Sequence, residues 1–291
     1  MCQLAAVLAM PAISAPLGMA PLKARLRAEH LDSVYGIVGA SVGSSLAPRV
    51  VNTALGELGM AAVYIPFDVA DFRGFFAQAR DGESGLDALT VVRPHKEMAL
   101  ALADSATEAA RRSGAANLMI REGAGWRAAN TSGIVGPLKH AGFDAHGCRA
   151  AVVGCGGAGR LIAAELQQGG ADVRLVNRGL ERGRLARRRL GLPFELLDEF
   201  DPRGFDLLVN ATPLATRLPF AVAGLDSAAA VVDLAYLKRH DTPLVRTARS
   251  RGIAVVDGRR VLAAELDRQF RLITGSCLTP GAIAVATGAD D

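Results

Sequence analysis

A glycine-rich loop is the strongest local sign of chemistry in the sequence. Residues 154–159 read Gly-Cys-Gly-Gly-Ala-Gly; they directly follow an apolar run and open an apolar helical stretch. In such a strand–loop–helix unit Gly154 permits a tight turn, Gly156 lets the backbone approach a pyrophosphate, and Gly159 lets the helix pack against the strand. Because the helix N-terminus also offers unpaired N–H groups, the pattern favours a dinucleotide site over an unliganded turn. The predicted contacts are Gly154, Gly156, Gly157, Ala158 and Gly159.

The end of the next strand indicates which dinucleotide is bound. A site for NAD usually carries an Asp or Glu there, which binds the ribose 2′-hydroxyl. This sequence has Asn177 and Arg178 instead, with Arg182 one helical turn further on. Two guanidinium groups bind a 2′-phosphate with charge-assisted hydrogen bonds, whereas a carboxylate repels it. These three residues therefore favour NADP(H).

The net charge of +4 has a local origin. The crowded arginines are Arg178, Arg182, Arg184, Arg187, Arg188 and Arg189. A nucleic-acid site is one interpretation, but no aromatic residues interleave with these arginines to stack on bases. A solvated helix face is the second interpretation, expected above all for residues 187–189, and the anionic cofactor is the third.

The spacing of the cysteines and the character of the first residues argue against a metal site, a disulfide framework and a membrane span. No two of the four cysteines form a Cys-x-x-Cys pair, which predicts neither a metal site nor a disulfide framework and suits a reducing cytoplasm. The apolar stretch 4–17 is interrupted by prolines and is shorter than the ~20 residues of a membrane span. We expect no membrane partner.

Apolar runs and helical stretches alternate along the chain in two series. Such alternation is typical of mostly parallel sheets with crossover helices, so the predicted fold is α/β with two domains. We expect an N-terminal extension at 1–32, a first domain at 33–131 with 258–291, and a Rossmann-type domain at 132–257. The first series predicts strands at 34–38, 62–65 and 86–92, and helices at 48–58, 72–79 and 97–112. The second predicts strands at 149–153, 172–176, 206–209, 229–233 and 253–256, and helices at 158–168 and 180–190.

From about residue 34 to 275 the order of motifs resembles that of the shikimate dehydrogenase family. The motifs of the first domain are Pro94-His95-Lys96-Glu97, Gly114-Ala115-Ala116-Asn117 and Asn130-Thr131. The second domain adds Asn210-Ala211-Thr212-Pro213, Asp233-Leu234-Ala235-Tyr236 and Thr242-Pro243-Leu244 to the loop and arginines above. Residues 257–275 resemble the family's closing helix.

The resemblance implies an NADP(H)-dependent oxidoreductase that transfers hydride to or from a small polar cyclic carbonyl or alcohol. In the family a lysine exchanges the proton of the reacting hydroxyl, partnered by an aspartate; Lys96 matches the lysine, and His95 is expected to shape the loop before it. The implied substrate-binding positions are Ser45, Ala47, Val92, Asn117, Asn130, Tyr236 and Glu265. The further implied cofactor contacts are Ala211, Thr212, Pro213 and Gly258.

Four of these positions depart from the family's pattern. Where the family has Asn-Thr-Asp-Gly, this chain has Ser132 in place of the aspartate, and where the family has Ser-x-Ser-Pro, this chain has Ala47 in place of the second serine. Val92 stands in place of the family's threonine two residues before Pro94, and Glu265 stands in place of the glutamine of the closing helix. An unpaired donor or a like charge at a buried site costs on the order of 1–3 kcal/mol. Anionic shikimate should therefore bind less well than in the family.

The lost aspartate leaves two interpretations of the acid–base group open. Glu265 pairs with Lys96, or Ser132 relays the proton through a bound water. Glu265 also suggests a substrate with a cationic amine.

Two functions from different classes remain at this point. One is an active oxidoreductase on a small molecule; the other is a catalytically silent NADPH-binding sensor, which the lost aspartate supports and the retained Lys96 and Asn117 oppose. No nucleic-acid partner is implied, and the chain is expected to be a monomer or a homodimer. Asp68 and Asp87 are expected to be surface charges.

Overall fold

The chain forms two compact units in the computed structural model, which describes residues 13–14, 31–81, 85–221 and 229–289. Most of the predicted extension at 1–32 lies outside the described residues. The first unit comprises Met1–Arg111, Ala115–Thr131 and Leu266–Asp291. The second comprises Arg112–Gly114 and Ser132–Glu265. In the described part of the chain, no helix has the length and apolar character needed to cross a membrane.

The first unit is built on a seven-stranded sheet. Its strands are β1 (Ile13–Ser14), β2 (Ser33–Gly39), β3 (Ala62–Asp68), β4 (Ala88–Val91), β5 (Ser105–Ala106), β6 (Leu118–Glu122) and β7 (Gly125–Ala129). In the order β1–β3–β2–β4–β6–β7–β5, only β6 is antiparallel to its neighbours among these strands. The sheet is mostly parallel, as predicted, and the β6–β7 hairpin is a feature that the sequence pattern did not indicate.

The helices of the first half differ from the prediction in one place. They are α1 (Ala47–Glu57), α2 (Phe72–Arg80), α3 (Lys96–Leu102) and α4 (Glu108–Ser113). A single helix over 97–112 was wrong, because the backbone N–H groups of Asp104 and Thr107 each donate to β7 carbonyls at 2.9 Å. Thr107 Oγ1 then accepts from the Ala110 N–H at 3.3 Å, which starts the new helix.

The second unit contains a six-stranded parallel sheet. Its strands are β8 (Arg149–Val153), β9 (Asp172–Asn177), β10 (Phe194–Leu196), β11 (Leu207–Asn210), β12 (Ala230–Asp233) and β13 (Ala254–Val256). The helices are α5 (Val135–His140), α6 (Gly157–Gln168), α7 (Leu180–Leu190) and α8 (Pro243–Ser250). The closing helix α9 (Gly258–Thr274) follows β13, and α10 (Pro280–Thr287) follows α9.

The strand order β10–β9–β8–β11–β12–β13 is that of a Rossmann fold. Both faces of the sheet are covered: in β8, Ala150 and Val152 belong to one apolar cluster, and Ala151 and Val153 belong to the other. A sheet buried on both faces explains why these strands are continuous apolar runs in the sequence. The order reverses between β8 and β11, and in open sheets of this kind ligands bind outside the carboxyl ends of the strands at that point.

A buried polar network fixes the carboxyl ends of β11 and β12. Asp233 is fully buried; its Oδ1 accepts from Asn210 Nδ2 at 2.8 Å and from the Ala235 N–H at 3.0 Å. Its Oδ2 accepts from Thr242 Oγ1 at 2.5 Å, and Thr242 also caps α8. Burial raises the pKa of Asp233, and the hydrogen bonds from Thr242, Asn210 and Ala235 oppose that rise.

Substitution of Asp233 tests this network. Asp233→Asn keeps the oxygen that Asn210 and Ala235 bind and removes the buried charge. The pKa of Asp233 in the folded protein lies above its usual value of 3.8. The contribution of Asp233 to the free energy of unfolding is therefore fully present below pH 3.8, and it is lost as the pH rises through the folded-state pKa. The melting temperature of Asp233→Asn relative to the wild type should therefore rise from about pH 4 to about pH 7.

Asp233→Ala serves as the comparison. It leaves the three donors without their acceptor, and it should melt about 5 °C below the wild type at neutral pH. Thermal melts followed by circular dichroism measure both variants. A difference between Asp233→Asn and the wild type that does not change with pH would contradict the assignment.

Candidate functional site

The glycine-rich loop has the geometry that a dinucleotide needs. It follows β8 and turns at Gly154, which has φ of +110°. A Cβ atom on Gly159 would overlap the carbonyl oxygen of Gly154, so only glycine allows α6 to approach the turn this closely. A Cβ atom on Gly156 would meet no atom within 4 Å. Gly156 is also the N-cap of α6 and provides no side-chain cap, which leaves the first N–H groups of the helix for a ligand.

Asn177 holds this loop in place. Its Oδ1 accepts from the Cys155 N–H at 3.0 Å, and its Nδ2 donates to the Gly179 carbonyl at 2.7 Å. The side chain thereby joins the end of β9 to the loop after β8. Burial raises the pKa of the Cys155 thiol to about 12, so the cysteine within the loop is an inert packing group.

Arg160 is a second support of the loop, and sequence reasoning missed it. The residue is completely buried in the first turns of α6. Its Nε donates to the Ser113 carbonyl at 2.5 Å, and its terminal nitrogens donate to the carbonyls of Cys155 at 3.0 Å and Gly114 at 3.3 Å. An arginine within the apolar start of a helix was the available signal, because such a charge must be buried with partners.

The predicted phosphate clamp lies at the surface of the second unit. Arg178 follows β9, Arg182 is in the first turn of α7, and both side chains are exposed. The guanidinium of Arg189 lies against Gly114, so the expectation that residues 187–189 only face water is wrong for this arginine.

The other predicted cofactor positions follow the ends of β11 and β13. Asn210 Oδ1 accepts from the Thr212 N–H at 3.0 Å and from Thr212 Oγ1 at 2.6 Å, which fixes the turn that carries Ala211 and Pro213. Gly258 starts α9, and a Cβ atom there would collide with the carbonyl of Ala235. Close packing explains this glycine, and its contact with a cofactor stays a prediction.

Lys96 is the first residue of α3 in the first unit. The preceding His95 is buried, its Nε2 lies 2.7 Å from the Val69 carbonyl oxygen, and its ring stacks on Phe72. The Lys96 carbonyl accepts from the Ala116 N–H at 2.8 Å. His95 therefore shapes this loop, as expected. The Lys96 ammonium has no hydrogen-bond or ion-pair partner among the residues that the structure describes.

Asn117 binds the backbone of Thr131. Its Oδ1 accepts from the Thr131 N–H at 2.8 Å, and its Nδ2 donates to the Thr131 carbonyl at 2.7 Å. Asn130, the residue before, is also buried, at the end of β7. The predicted substrate positions Asn117 and Asn130 are thus brought together at one edge of the first unit's sheet.

Gln269 belongs to the same cluster, and it was missed. Its Oε1 accepts from Thr90 Oγ1 at 2.8 Å, and its Nε2 donates to Thr131 Oγ1 at 3.3 Å. The signal was present, because Gln269 falls among the apolar residues Leu266 and Phe270 on the buried face of α9. Glu265 lies one turn earlier and is half-buried.

Ser45 and Ala47 lie together at the start of α1. Ser45 follows the 3₁₀ turn Val42–Ser44, and its Oγ accepts from the Ala47 N–H at 3.2 Å. Ala47 is buried, so a side-chain donor is lost there. Val92 follows β4 and packs against Gly39.

The expectation that Asp68 and Asp87 are surface charges is wrong. Asp68 Oδ1 accepts from the N–H groups of Ser41 and Val42 and so holds the loop that leads to Ser45. Asp87 Oδ2 accepts from the Val34 N–H at 2.9 Å. Burial raises the pKa of Asp87, and Val34 and Arg121 oppose that rise.

Ser132 is buried in the second unit, and its hydroxyl donates to Glu165 Oε2 on α6. The next residue, Gly133, packs so closely against α9 that a Cβ atom would lie 2.5 Å from the Glu265 nitrogen. Tyr236 is half-buried after β12. Glu165 was missed because the residue lies 33 positions from Ser132 in the sequence.

Two glycine substitutions separate packing from ligand binding in the loop. Gly156→Ala should melt within about 1 °C of the wild type, since nothing crowds the new methyl group. It should nevertheless weaken binding of NADPH at least about tenfold, because the methyl group occupies the space left for the pyrophosphate.

The matched control is Gly159→Ala, whose methyl group collides with the Gly154 carbonyl and should lower the melting temperature by several degrees. NADPH titration by fluorescence and thermal melts measure both variants. Normal NADPH affinity in Gly156→Ala would argue against a dinucleotide at this loop.

The sequence comparisons with known proteins agree on one family. The model of the shikimate dehydrogenase substrate binding domain matches residues 37–119. The shikimate dehydrogenase (NADP(+)) of Rubrobacter xylanophilus is 36% identical over 270 residues, covering 86% of this chain and 93% of that protein. That of Acidiphilium cryptum is 35% identical over 243 residues, covering 77% and 83%.

A solved structure is similar over nearly the same length. Shikimate 5-dehydrogenase from Thermus thermophilus, in complex with NADP(H) and shikimate, has a TM-score of 0.75 and 28% identity. The likeness covers 88% of this chain and 99% of that one. On the strength of the sequence identity and its coverage, the chain belongs to the shikimate dehydrogenase family.

Proposed function

We propose that the protein catalyses NADP(H)-dependent hydride transfer to or from a small polar cyclic substrate, with shikimate and 3-dehydroshikimate as the first candidate pair. The observation that carries the proposal is the likeness to the Rubrobacter xylanophilus enzyme, which covers 86% of this chain. The chain also contains the motif Pro94-His95-Lys96-Glu97, which resembles the family's lysine motif. The predicted domain limits are part of the proposal, with the substrate bound by 33–131 and 258–291 and the cofactor by 132–257.

The described residues of the second unit fit NADP(H). The open space at Gly156 and the uncapped start of α6 suit a pyrophosphate, and the exposed Arg178 and Arg182 suit a 2′-phosphate. When bound, the nicotinamide accepts or supplies the hydride. Asn177 and Arg160 hold the loop rigid, so the backbone donors need no reorganisation when the cofactor binds.

Lys96 is the proposed acid–base residue. In the oxidation of an alcohol its amine takes the hydroxyl proton, and in reduction its ammonium returns a proton to the new alkoxide. The ammonium has no partner among the described side chains, whereas the neighbouring His95 is fixed by Val69 and Phe72. A lysine without a competing internal ion pair is available to a substrate.

A related substrate that carries an amine is the second candidate. Ala47 and Val92 offer no donor to a carboxylate, and Glu265 is a half-buried acid. A cationic amine gains a partner from Glu265, whereas an anionic substrate is repelled. A catalytically silent sensor is less well supported, because a sensor does not need Lys96.

The proposal includes a cytoplasmic location, which suits the free thiols of Cys148, Cys155 and Cys277. The oligomeric state stays a prediction of monomer or homodimer.

Turnover that depends on Lys96 tests the function. Purified protein is mixed with NADP⁺ or NADPH and with shikimate, quinate, their 3-dehydro forms and amino analogues, and absorbance of the reduced nicotinamide is followed. Lys96→Ala should lower kcat by about 10²- to 10⁴-fold without changing the affinity for NADPH, because it removes the proton-transfer group.

Lys139→Ala, which removes an exposed lysine from α5, is the control and should keep full activity. Turnover by Lys96→Ala at the wild-type rate would contradict the assigned role. Silence of the wild type with every substrate, together with tight NADPH binding, would favour the sensor.

Cofactor preference tests the arginine clamp. Arg178→Ala and Arg182→Ala should each raise the Kd of NADPH about tenfold or more and change the Kd of NADH less than about twofold, because only NADPH carries the 2′-phosphate. Arg188→Ala removes an exposed charge from the same helix and is the matched control. Equal losses for NADPH and NADH would show that the arginines act on something other than that phosphate.

A further inference from the structure

We infer that Asp68 is a positioning residue for Ser45, whose hydroxyl it directs through the backbone of the preceding loop. The inference rests on the proposed function, in which the first unit binds the substrate and Ser45 is one of the expected contacts. Asp68 and Ser45 both belong to the first unit, and so do the residues that join them. The role of Asp68 is to fix the place of a side chain that binds the substrate, and not to bind the substrate itself.

Asp68 lies next to this loop because of the register of two parallel strands. The loop that joins β2 to α1 comprises residues 40–46, and Asp68 is the last residue of β3. In the β2–β3 pair Gly39 is opposite Asp68, so the loop begins beside this carboxylate. The Val69 N–H donates to the Gly39 carbonyl at 3.0 Å. The start of the loop is therefore held by backbone contacts that do not depend on the side chain at position 68.

Two successive hydrogen bonds connect the Asp68 carboxylate to Ser45. Asp68 Oδ1 accepts from the N–H groups of Ser41 and Val42, the second at 3.3 Å. The Val42 carbonyl in turn accepts from the Ser45 N–H at 2.9 Å. Val42 thus binds Asp68 through its N–H and Ser45 through its carbonyl, and its side chain is buried. A shift of this one residue would move Ser45.

The backbone at Ser41 is held in a conformation that is unfavourable by itself. Ser41 has φ of +61° and ψ of +39°, which is left-handed, and it is the one residue other than glycine with a positive φ in the described part of the chain. A Cβ atom makes this conformation costly, so neighbouring groups must hold it. Successive N–H groups at such a residue form a small concave site for an anion. The Asp68 carboxylate occupies that site here.

The Ser45 hydroxyl depends on this backbone for its direction. Its Oγ accepts from the Ala47 N–H at 3.2 Å, and its proton has no acceptor among the residues that the structure describes. That proton is available to an oxygen of the substrate. The exposed Ser44 hydroxyl donates to the Ser41 carbonyl at 3.2 Å, but this contact stays within the loop. Asp68 therefore provides the polar tie between the middle of the loop and the neighbouring strand.

A kinetic comparison of Asp68 and Ser45 variants tests the inference. For Ser45→Ala, Asp68→Ala, Asp68→Asn and the double variant Ser45→Ala/Asp68→Ala, kcat, KM and the Kd of NADPH are measured with the best substrate of the panel. Asp68→Ala should raise KM about tenfold, as Ser45→Ala should, because the substrate loses one hydrogen bond. It should leave kcat and the Kd of NADPH within about twofold, because no reacting group is removed.

The double variant distinguishes positioning from general damage. If Asp68 acts through Ser45, the double variant should match Ser45→Ala within about twofold and should not multiply the two losses. Asp68→Asn keeps an oxygen that can accept from the two loop N–H groups, so its KM should stay within about threefold of the wild type. Asp32→Ala, which removes an exposed carboxylate just before β2, is the matched control and should equal the wild type.

Two substitutions at Ser41 test the same link without removing Asp68. Glycine adopts the left-handed conformation readily, whereas a β-branched residue rarely does. Ser41→Val should therefore raise KM about threefold or more, and Ser41→Gly should keep KM within about twofold of the wild type. Because Ser41 is exposed, both variants are expected to fold, and they decide the question if Asp68→Ala does not fold.

The opposing outcomes are distinct. The inference is overturned by a KM within about twofold of the wild type in Asp68→Ala or Ser45→Ala, or by multiplied losses in the double variant. Equal KM values for Ser41→Val and Ser41→Gly, or an Asp68→Asn as impaired as Asp68→Ala, would also overturn it. Each of these results leaves the proposed hydride transfer standing. A wild type that turns over none of the panel would remove the proposed function itself, and the inference with it.

Discussion

The second unit depends on one buried charge, the guanidinium of Arg160. Moving such a charge out of water costs several kcal/mol unless polar groups replace the water, and here the carbonyls of Ser113, Gly114 and Cys155 take part in doing so. Two of these carbonyls belong to the short segment Arg112–Gly114, and the third belongs to the glycine-rich loop. The same side chain therefore fixes both the glycine-rich loop and the segment Arg112–Gly114. If either moved away, the buried guanidinium would lose hydrogen-bond acceptors that replace water.

The parallel sheet explains why the polar residues of the second unit occur where they do. Parallel strands end at a common edge, so the residues after β8, β9, β11 and β12 meet there although they are distant in sequence. At this edge Asn177 binds the loop after its neighbouring strand, and Asn210 binds both Asp233 and Thr212. These contacts leave little freedom in the turns, which suits a surface that must offer fixed donors to a ligand.

Patterns in the sequence predicted those elements of the fold whose conformation depends on residues close to one another in the chain. The apolar runs of β8 and β9 and the glycines between strand and helix were readable, because burial on both faces and tight turns leave signals in neighbouring residues. The break in the helix after Leu102 could not be predicted from the sequence, because it depends on the pairing of residues 104–107 with β7. That strand lies some twenty residues further along the chain. The contacts of Gln269 with Thr90 and of Ser132 with Glu165 were hidden for the same reason, since spacing within one element cannot show which distant side chain its polar residue will meet.

The positions that depart from the family's pattern must be interpreted together with the residues that contact them in the structure. From the sequence alone, the missing aspartate at position 132 and the missing hydrogen-bond donors at Ala47 and Val92 suggest a site that has lost its function. In the structure, Asn117 and Gln269 are buried and hydrogen-bonded to Thr131, and the Ser132 hydroxyl donates to the Glu165 carboxylate. The polar side chains at these positions therefore have partners within the fold, and the departures at positions 47, 92 and 132 do not by themselves describe an abandoned site.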